Sequence, residues 1–446
     1  MSDSLSKRVV ITGTGWVTPL GSDIDSVWAK LLKGESGIGP VSHFDASTCA
    51  TNFASEVKGF KLSQFLDDTS PHEMASIGTH YALGAAAQAW KQSGLADAKV
   101  ERRRFGIYLG SGEGQLDYEN FLASNLAGWQ AETRTVDGGK WAKHALATMT
   151  AVREIEQEPN LAMSHVAAEF GCRGPAFNCM TACAASTQAI GEAFEIIRRG
   201  DADVMFAGGS HSMVHLLGMT GFIRLTAMSQ RRDNPQSAAR PFDQTRDGFV
   251  MGEGAGMIIL ESLEHATKRG ATIIAELAGY GSSADAFRIT DIQPDGRGAA
   301  GAMAQALRQA GVSARETGAD GRPQVHYISA HGTGTKENDK IETAAVKALF
   351  GPLAPKIPFS SVKSMLGHLI QAAGAVELIT CIKAIETGVV PPTMNLKNPD
   401  PVCDLDYVPN AARDLSDEGG VDLCLSNSFG FGGQNDTVAV RKYREN

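Results

Sequence analysis

The sequence has no CxxC pair, no long run of Lys and Arg, and no apolar stretch approaching the roughly 18–20 residues a membrane helix needs. Each absence excludes something. The 7 cysteines stand at positions 49, 172, 179, 183, 381, 403 and 424, an odd number. Cys179 and Cys183 are four apart, but no second Cys/His pair at ligand spacing follows. Neither a metal site nor a disulfide framework is therefore expected. With 41 basic against 50 acidic residues the formal charge is −9. Such a chain has no general attraction for nucleic acid, whose affinity rests on neutralised phosphates. The pairs Arg198-Arg199 and Arg231-Arg232 are too short to form a basic tract, so an acidic partner would need a local patch. The opening MSDSLSKRVVITGTG carries no apolar core of a secretory signal, and a cytoplasmic location without a membrane span is the expectation.

What is present is an ordinary globular composition, 43% hydrophobic and 20% charged, with 49 glycines dispersed along the chain. Short β-branched runs alternate with longer helical patterns. Residues 9–12 read as a first strand closed by Gly13-Thr14-Gly15, and residues 77–94 as an Ala-rich helix. Further strands are expected at 105–109, 203–207, 257–260, 273–277, 325–329, 357–361 and 423–425. This alternation predicts an α/β fold with buried sheets. Each half opens on a strand and later reaches a strand ending in a Gly-rich turn, a weak duplication that divides the chain at about 1–265 and 266–446. Residues 115–160 lack strand signals and read as a helical excursion: a lid, a subunit contact or a solvated insertion.

Four segments carry chemistry. In Asn178-Cys179-Met180-Thr181-Ala182-Cys183, the helical pattern that follows puts Cys183 at a helix start, where the partial positive charge favours a thiolate and lowers its pKa. A buried structural cysteine is the alternative. In Ser329-Ala330-His331-Gly332-Thr333-Gly334-Thr335, a strand delivers His331 to a turn whose hydroxyls suit a polar ligand arm; a structural histidine is the alternative. Asp339 and Glu342, three apart, share a helical face and either orient a cation or are solvated. In Ser361-Val362-Lys363-Ser364-Met365-Leu366-Gly367-His368, Lys363 and His368 flank the entry to a helix expected over 366–385, apolar all round and so buried. A neutral imidazole there could donate to an oxyanion. Ser426-Asn427-Ser428-Phe429-Gly430-Phe431-Gly432-Gly433 reads as a mobile turn with an aromatic flap, or as a tight turn with core aromatics.

Taken in order, VVITGTGWVTPLG, TACAAS, DADVMFAGGS, RPFDQTRDGFVMGEGAG, HGTGTKENDKIE, SVKSMLGHLIQAAGAVE, PPTMNLKNPDPVCDLDYVPNAAR and SNSFGFGG resemble the β-ketoacyl-acyl-carrier-protein synthases of the elongating, synthase II-like type. The resemblance spans nearly the whole chain. It implies a thiolase-like five-layered αβαβα fold from two similar halves, as a homodimer or a heterodimer with a related subunit. It implies a decarboxylative Claisen condensation of an acyl group, held on Cys183, with a malonyl thioester. His331 and His368 would stabilise the enolate, with Lys363 and Glu342, and Asp339 beside it, in support. The amides of Cys183 and Phe429 would form the oxyanion hole, and Phe429 would gate it. Thr333 and Thr335 would contact the phosphopantetheine arm of an acyl carrier protein; Phe222 and Phe431 would contact substrate. No metal or redox cofactor is implied, since decarboxylation drives the step.

Two segments depart from the family pattern. Residues 62–74 carry no Lys or Arg where the family docks its acidic carrier, and residues 115–160 are longer and different. Arg224, Arg231 and Arg232 are the alternative basic patch. HGTGTKENDKIETAA and CDLDYVP also resemble type II polyketide ketosynthases, the alternative enzyme reading. A non-catalytic chain-length partner on the same fold is the alternative of another class, opposed by retention of Cys183, His331, Lys363 and His368.

Overall fold

The computed structural model describes residues 6–112, 116–289 and 291–445. Ten strands form the main sheet: β1 (Val9–Val17), β2 (Phe105–Ser111), β3 (Ala176–Cys179), β4 (Val204–His211), β5 (Gly254–Ser262), β6 (Ala275–Ala284), β7 (Tyr327–Ser329), β8 (Phe359–Ser360), β9 (Leu423–Gly430) and β10 (Gln434–Arg441). Their spatial order is β8-β7-β9-β10-β6-β1-β5-β4-β2-β3. Numbered within its own half, each set of five runs 3-2-4-5-1 outward-in, with β1 and β6 meeting at the seam. The senses repeat too. The second strand is parallel to the third and fourth, and the fifth is antiparallel to its neighbours. The duplication that is faint in sequence is thus explicit in topology. The seam itself is slight: β1 and β6 pair only at Val9↔Leu277, Val10↔Glu276 and Ile11↔Ala275.

The helices complete the layers: α1 (Ile77–Ser93), α2 (Tyr118–Gly128), α3 (Gly138–Thr148), α4 (Leu161–Phe170), α5 (Ala185–Arg198), α6 (Leu216–Arg224), α7 (Arg297–Ala310), α8 (Lys336–Phe350) and α9 (Ala373–Thr387). α1 covers β1 and β5 from one outer side, and α7 covers β6 and β10 from the other. Between the half-sheets lie α5 and α9, which touch each other and strands of both halves. The result is the five-layered αβαβα arrangement. α9 is buried from Ala373 to Ile385, as an all-round apolar helix must be.

Several sequence expectations are corrected. β1 does not stop at Gly13-Thr14-Gly15 but continues to Val17. Those glycines serve close approach, not a turn: a Cβ on Gly13 would lie 2.1 Å from Ala89 O, and one on Gly15 2.0 Å from Ala85 O, so α1 lies directly on the strand. The helix expected over 366–385 is broken. A short helix, Lys363–Leu366, ends at Gly367 (φ 69°), and a 3-10 turn, Ile370–Ala372, precedes α9. The segment Ser426–Gly433 is not a mobile turn: β9 runs through it to Gly430, with Asn427 and Ser428 fully buried. Strands β3 and β10 had no counterpart in the sequence reading. The 115–160 excursion is mainly helical, through α2 and α3, but it holds a small hairpin, Trp129–Gln130 with Thr135–Val136.

Candidate active site

Cys183 follows the third strand of the first half, and Lys363 and His368 follow the third strand of the second. The internal symmetry therefore brings them together across the middle layer. Around the nucleophile the chain turns sharply. Ala182 takes φ 48°, a left-handed conformation costing a non-glycine residue about 1–3 kcal/mol, and Ala182–Ala184 make a 3-10 turn before α5. Cys183 is thus at a helix start, as its neighbours imply, and only 4% exposed. Burial pushes its thiol up to about 11, opposed by the Lys363 ammonium and by the backbone N–H groups of Phe431 and Cys183. The lowered pKa expected from the helix terminus is not obtained, because desolvation of a thiolate outweighs the partial charge. The resting side chain is a thiol.

His331 stands two residues beyond β7 and is held through its backbone. Glu342, on α8, accepts the N–H of His331 at 2.9 Å and of Gly332 at 2.8 Å, and Asn427 Nδ2 donates to it at 3.2 Å. Burial pushes the Glu342 carboxyl up to about 7 against these donors. Asp339 fixes the rest of the turn. It accepts from Gly334 N at 3.2 Å and Phe242 N at 2.8 Å and lies 3.5 Å from the Arg246 guanidinium, the cation the sequence left unnamed. Arg246 in turn donates to the carbonyls of Thr335 and Lys336. Thr333 and Thr335 pair through their hydroxyls at 2.9 Å.

His368 lies between Gly367 and the 3-10 turn. Its Nδ1 accepts the N–H of Ile370 at 3.2 Å, so in the neutral ring the proton is on Nε2. Nε2 is buried without a partner, as is Nδ1 of His331. Burial, with the Lys363 charge adding to it, holds both imidazoles well below the usual histidine range, hence neutral. Lys363 is buried in an ion pair with Glu377 of α9. Burial pushes the Glu377 carboxyl up and the ammonium opposes it.

One ligand atom each of Cys183, His331 and His368 lies within 4.8 Å of the others, the only such metal-capable group among the described residues. A soft divalent cation would find three ligands there, at the cost of the thiol's nucleophilicity. The imidazole rings are 5.4 Å apart and nearly perpendicular; the Phe429 ring lies 5.8 Å from His331, and the Phe249 ring 5.3 Å from His368. Cys183 packs in an apolar cluster with Val214, Met219, Met251, Phe249 and Ile370, and Phe222 lies against it with its ring 5.7 Å from Phe249. A thiol, two neutral imidazoles with unused nitrogens, a buried cation and an apolar wall suit acyl transfer with stabilisation of an oxyanion.

The N-terminal domain of the beta-ketoacyl synthase family matches residues 6–266, and its C-terminal domain matches residues 274–397. The chain belongs to the beta-ketoacyl synthase family. It is 42% identical to a 3-oxoacyl-[acyl-carrier-protein] synthase 2 of Synechocystis, with 100% of both chains covered. Among solved structures it resembles the ketosynthase/chain length factor of ishigamide synthesis, at TM-score 0.85 and 34% identity, covering 98% of this chain and 100% of that one. It also resembles a type II polyketide ketosynthase solved with its acyl-carrier protein and a hexaketide, at TM-score 0.82 and 33% identity, with the same coverage. This beta-ketoacyl synthase is an acyltransferase that builds 3-ketoacyl thioesters by condensation.

The structure adds detail to the site that the resemblance implied. Of the neighbouring amides, that of Phe431, in the turn between β9 and β10, favours the Cys183 thiolate, where the resemblance named that of Phe429. Phe429 is a buried strand residue opposite Asn435, with its ring against His331. Lys363 pairs with Glu377, and Glu342 supports the His331 turn. Glu377 was missed by sequence reasoning although a signal existed: it is the one acid within the buried stretch of α9, and a buried acid needs a buried cation. The basic patch is also reduced. Arg231 turns to Asp247 and the Thr245 carbonyl, while Arg232, bonded to the Cys49 carbonyl, and Arg224, at the end of α6, stay exposed.

Proposed function

We propose that Cys183 attacks an acyl thioester delivered on the phosphopantetheine arm of an acyl carrier protein, releasing the carrier thiol and forming acyl-Cys183. A neutral imidazole beside the sulfur takes the thiol proton. A malonyl thioester then enters and loses CO2. His368 Nε2–H, with His331, stabilises the enolate oxygen, and the carbanion attacks the acyl-Cys carbonyl. The resulting oxyanion accepts from the Cys183 and Phe431 amides. Collapse expels the Cys183 thiolate, which is reprotonated, and leaves a 3-ketoacyl thioester on the carrier. The balance needs no metal or redox cofactor, since the electron pair comes from the lost carboxylate.

The observation that carries this reading is the unpartnered, proton-bearing Nε2 of His368 in the cluster with the thiol and His331. Thr333 and Thr335, fixed by Asp339 and Arg246, would flank the arm, and Arg224 would meet the acidic carrier. The relatives favour elongation in fatty-acid or specialised lipid synthesis; the structural neighbours make a type II polyketide pathway the second reading. No helix among the described residues is long and apolar enough to cross a membrane. The carrier-borne substrates and seven unpaired cysteines fit the cytoplasm. A homodimer is favoured by the sheet's open edge, where Phe177 of β3 is exposed, and by the exposed apolar residues of the excursion.

The test is CO2 release from a malonyl-carrier thioester supplied alone. His368→Ala should lose the release while Cys183 still accepts an acyl group; equal release by the variant and the parent would refute the assignment.

A further inference from the structure

Beside the catalytic residues lies a cavity of about 300 Å³, at the small end of the range for ligand pockets. Its walls come from the start of α1, the ends of β2 and β4, the first turn of α6 and both ends of the 115–160 excursion. It adjoins the active site at three points. Val214 belongs both to its lining and to the apolar cluster around Cys183. His211 lines it and acts electrostatically on His368. Gly112 in its wall lies against Gln371, where an added Cβ would come within 2.3 Å of Nε2.

The lining is not that of a plain hydrocarbon slot. Glu156 and His211, 7% and 4% exposed, each have a buried atom without a hydrogen-bond partner: Oε2 of the first and Nε2 of the second. Burial holds His211 neutral, its pKa pushed down to about 3. Glu156 is held in place. His165 Nε2 meets its Oε1 at 2.9 Å, His165 Nδ1 meets His72 Nδ1 at 2.9 Å, and His72 Nε2 meets Glu169 at 3.0 Å. This relay ties segment 62–74, the excursion and α4 together, joining the two regions in which the sequence leaves the family pattern.

We propose that the cavity receives the distal part of the acyl chain held on Cys183 and selects chains bearing a hydroxyl, with Glu156 as its acceptor and His211 as a second polar contact. The proposal rests on the reading of Cys183 as the acylated residue. A hydroxyl that reaches Oε2 or Nε2 supplies the partner each lacks, whereas a saturated chain supplies none. Discrimination against a substrate that leaves buried polar groups unpaired is strong.

The experiment uses the full chain and carrier thioesters of one length, unsubstituted or with a single hydroxyl at successive carbons, read by rates of Cys183 acylation in mass spectra. The parent should acylate about tenfold or more faster with the best-placed hydroxyl than with the saturated chain. Glu156→Leu should reverse that ratio. Glu156→Gln, which keeps the volume, should shift it less in the same direction, and it decides the matter if the leucine variant does not fold. Equal rates across the parent's series, or a ratio unmoved by Glu156→Gln, would overturn the selection. Absence of acylation with every chain would instead remove the underlying reading of Cys183.

Discussion

The two walls around Cys183 are built differently. The wall holding His331, Lys363 and His368 is buried, and its carboxylates Glu342, Asp339 and Glu377 are each bonded to the backbone or to a cation. The wall that includes the 115–160 excursion is loose by comparison, exposing Leu126, Trp129, Leu146, Val152 and Ile155 to solvent. The first wall performs a reaction whose geometry cannot vary. In the reading proposed above, the second receives the acyl chain. Rigidity is concentrated where charge develops, because preorganised donors stabilise an oxyanion without reorganising.

That contrast can be broken by substitution. The largest effect should come from Cys183→Ala, which abolishes condensation and leaves only malonyl decarboxylation, measured as CO2 without ketoacyl product. His331→Ala and His368→Ala should each slow decarboxylation about 10²–10³-fold, the usual cost of a lost oxyanion donor. Glu342→Ala strands the amides of His331 and Gly332 and should lower stability by about 2–4 kcal/mol in urea unfolding, with Glu342→Gln recovering part.

Electrostatic tuning of the thiol is a smaller effect. Alkylation of Cys183 should rise with pH toward a midpoint near 11, since only the thiolate reacts. The Lys363 ammonium lowers that midpoint, so removing it raises the midpoint and reduces the thiolate fraction at any lower pH. Lys363→Met with Glu377→Gln, which avoids a lone buried carboxylate, removes the larger lowering charge together with the smaller raising one and should slow alkylation at fixed pH by less than about tenfold. Least of all, Leu146→Ser in the excursion should change monomer stability by under about 0.5 kcal/mol, with any larger effect confined to self-association measured by light scattering.

The site was legible in sequence to the extent that its groups are local. His331 and His368 sit in turns marked by glycine, and Cys183 opens a helix whose periodicity is plain. What stayed hidden depends on contacts across the fold. The Lys363–Glu377 pair spans the break in a helix that hydrophobicity alone reads as continuous. Choosing between Phe429 and Phe431 requires knowing that β9 runs to Gly430. The glycines of β1 look like a turn until α1 is seen lying on them. Desolvation of Cys183 is likewise a property of the folded interior, and it reverses the direction that the helix start alone would give.

The central claim is that Cys183 carries the acyl group that a decarboxylated malonyl unit then attacks. Its most direct test is to load the full chain with an acyl-carrier thioester, locate the adduct by peptide mass, and add malonyl-carrier thioester. The account predicts one acyl group on Cys183, discharged as a 3-ketoacyl-carrier product with release of CO2. An adduct at another residue, or one on Cys183 that malonyl thioester does not discharge, would contradict it.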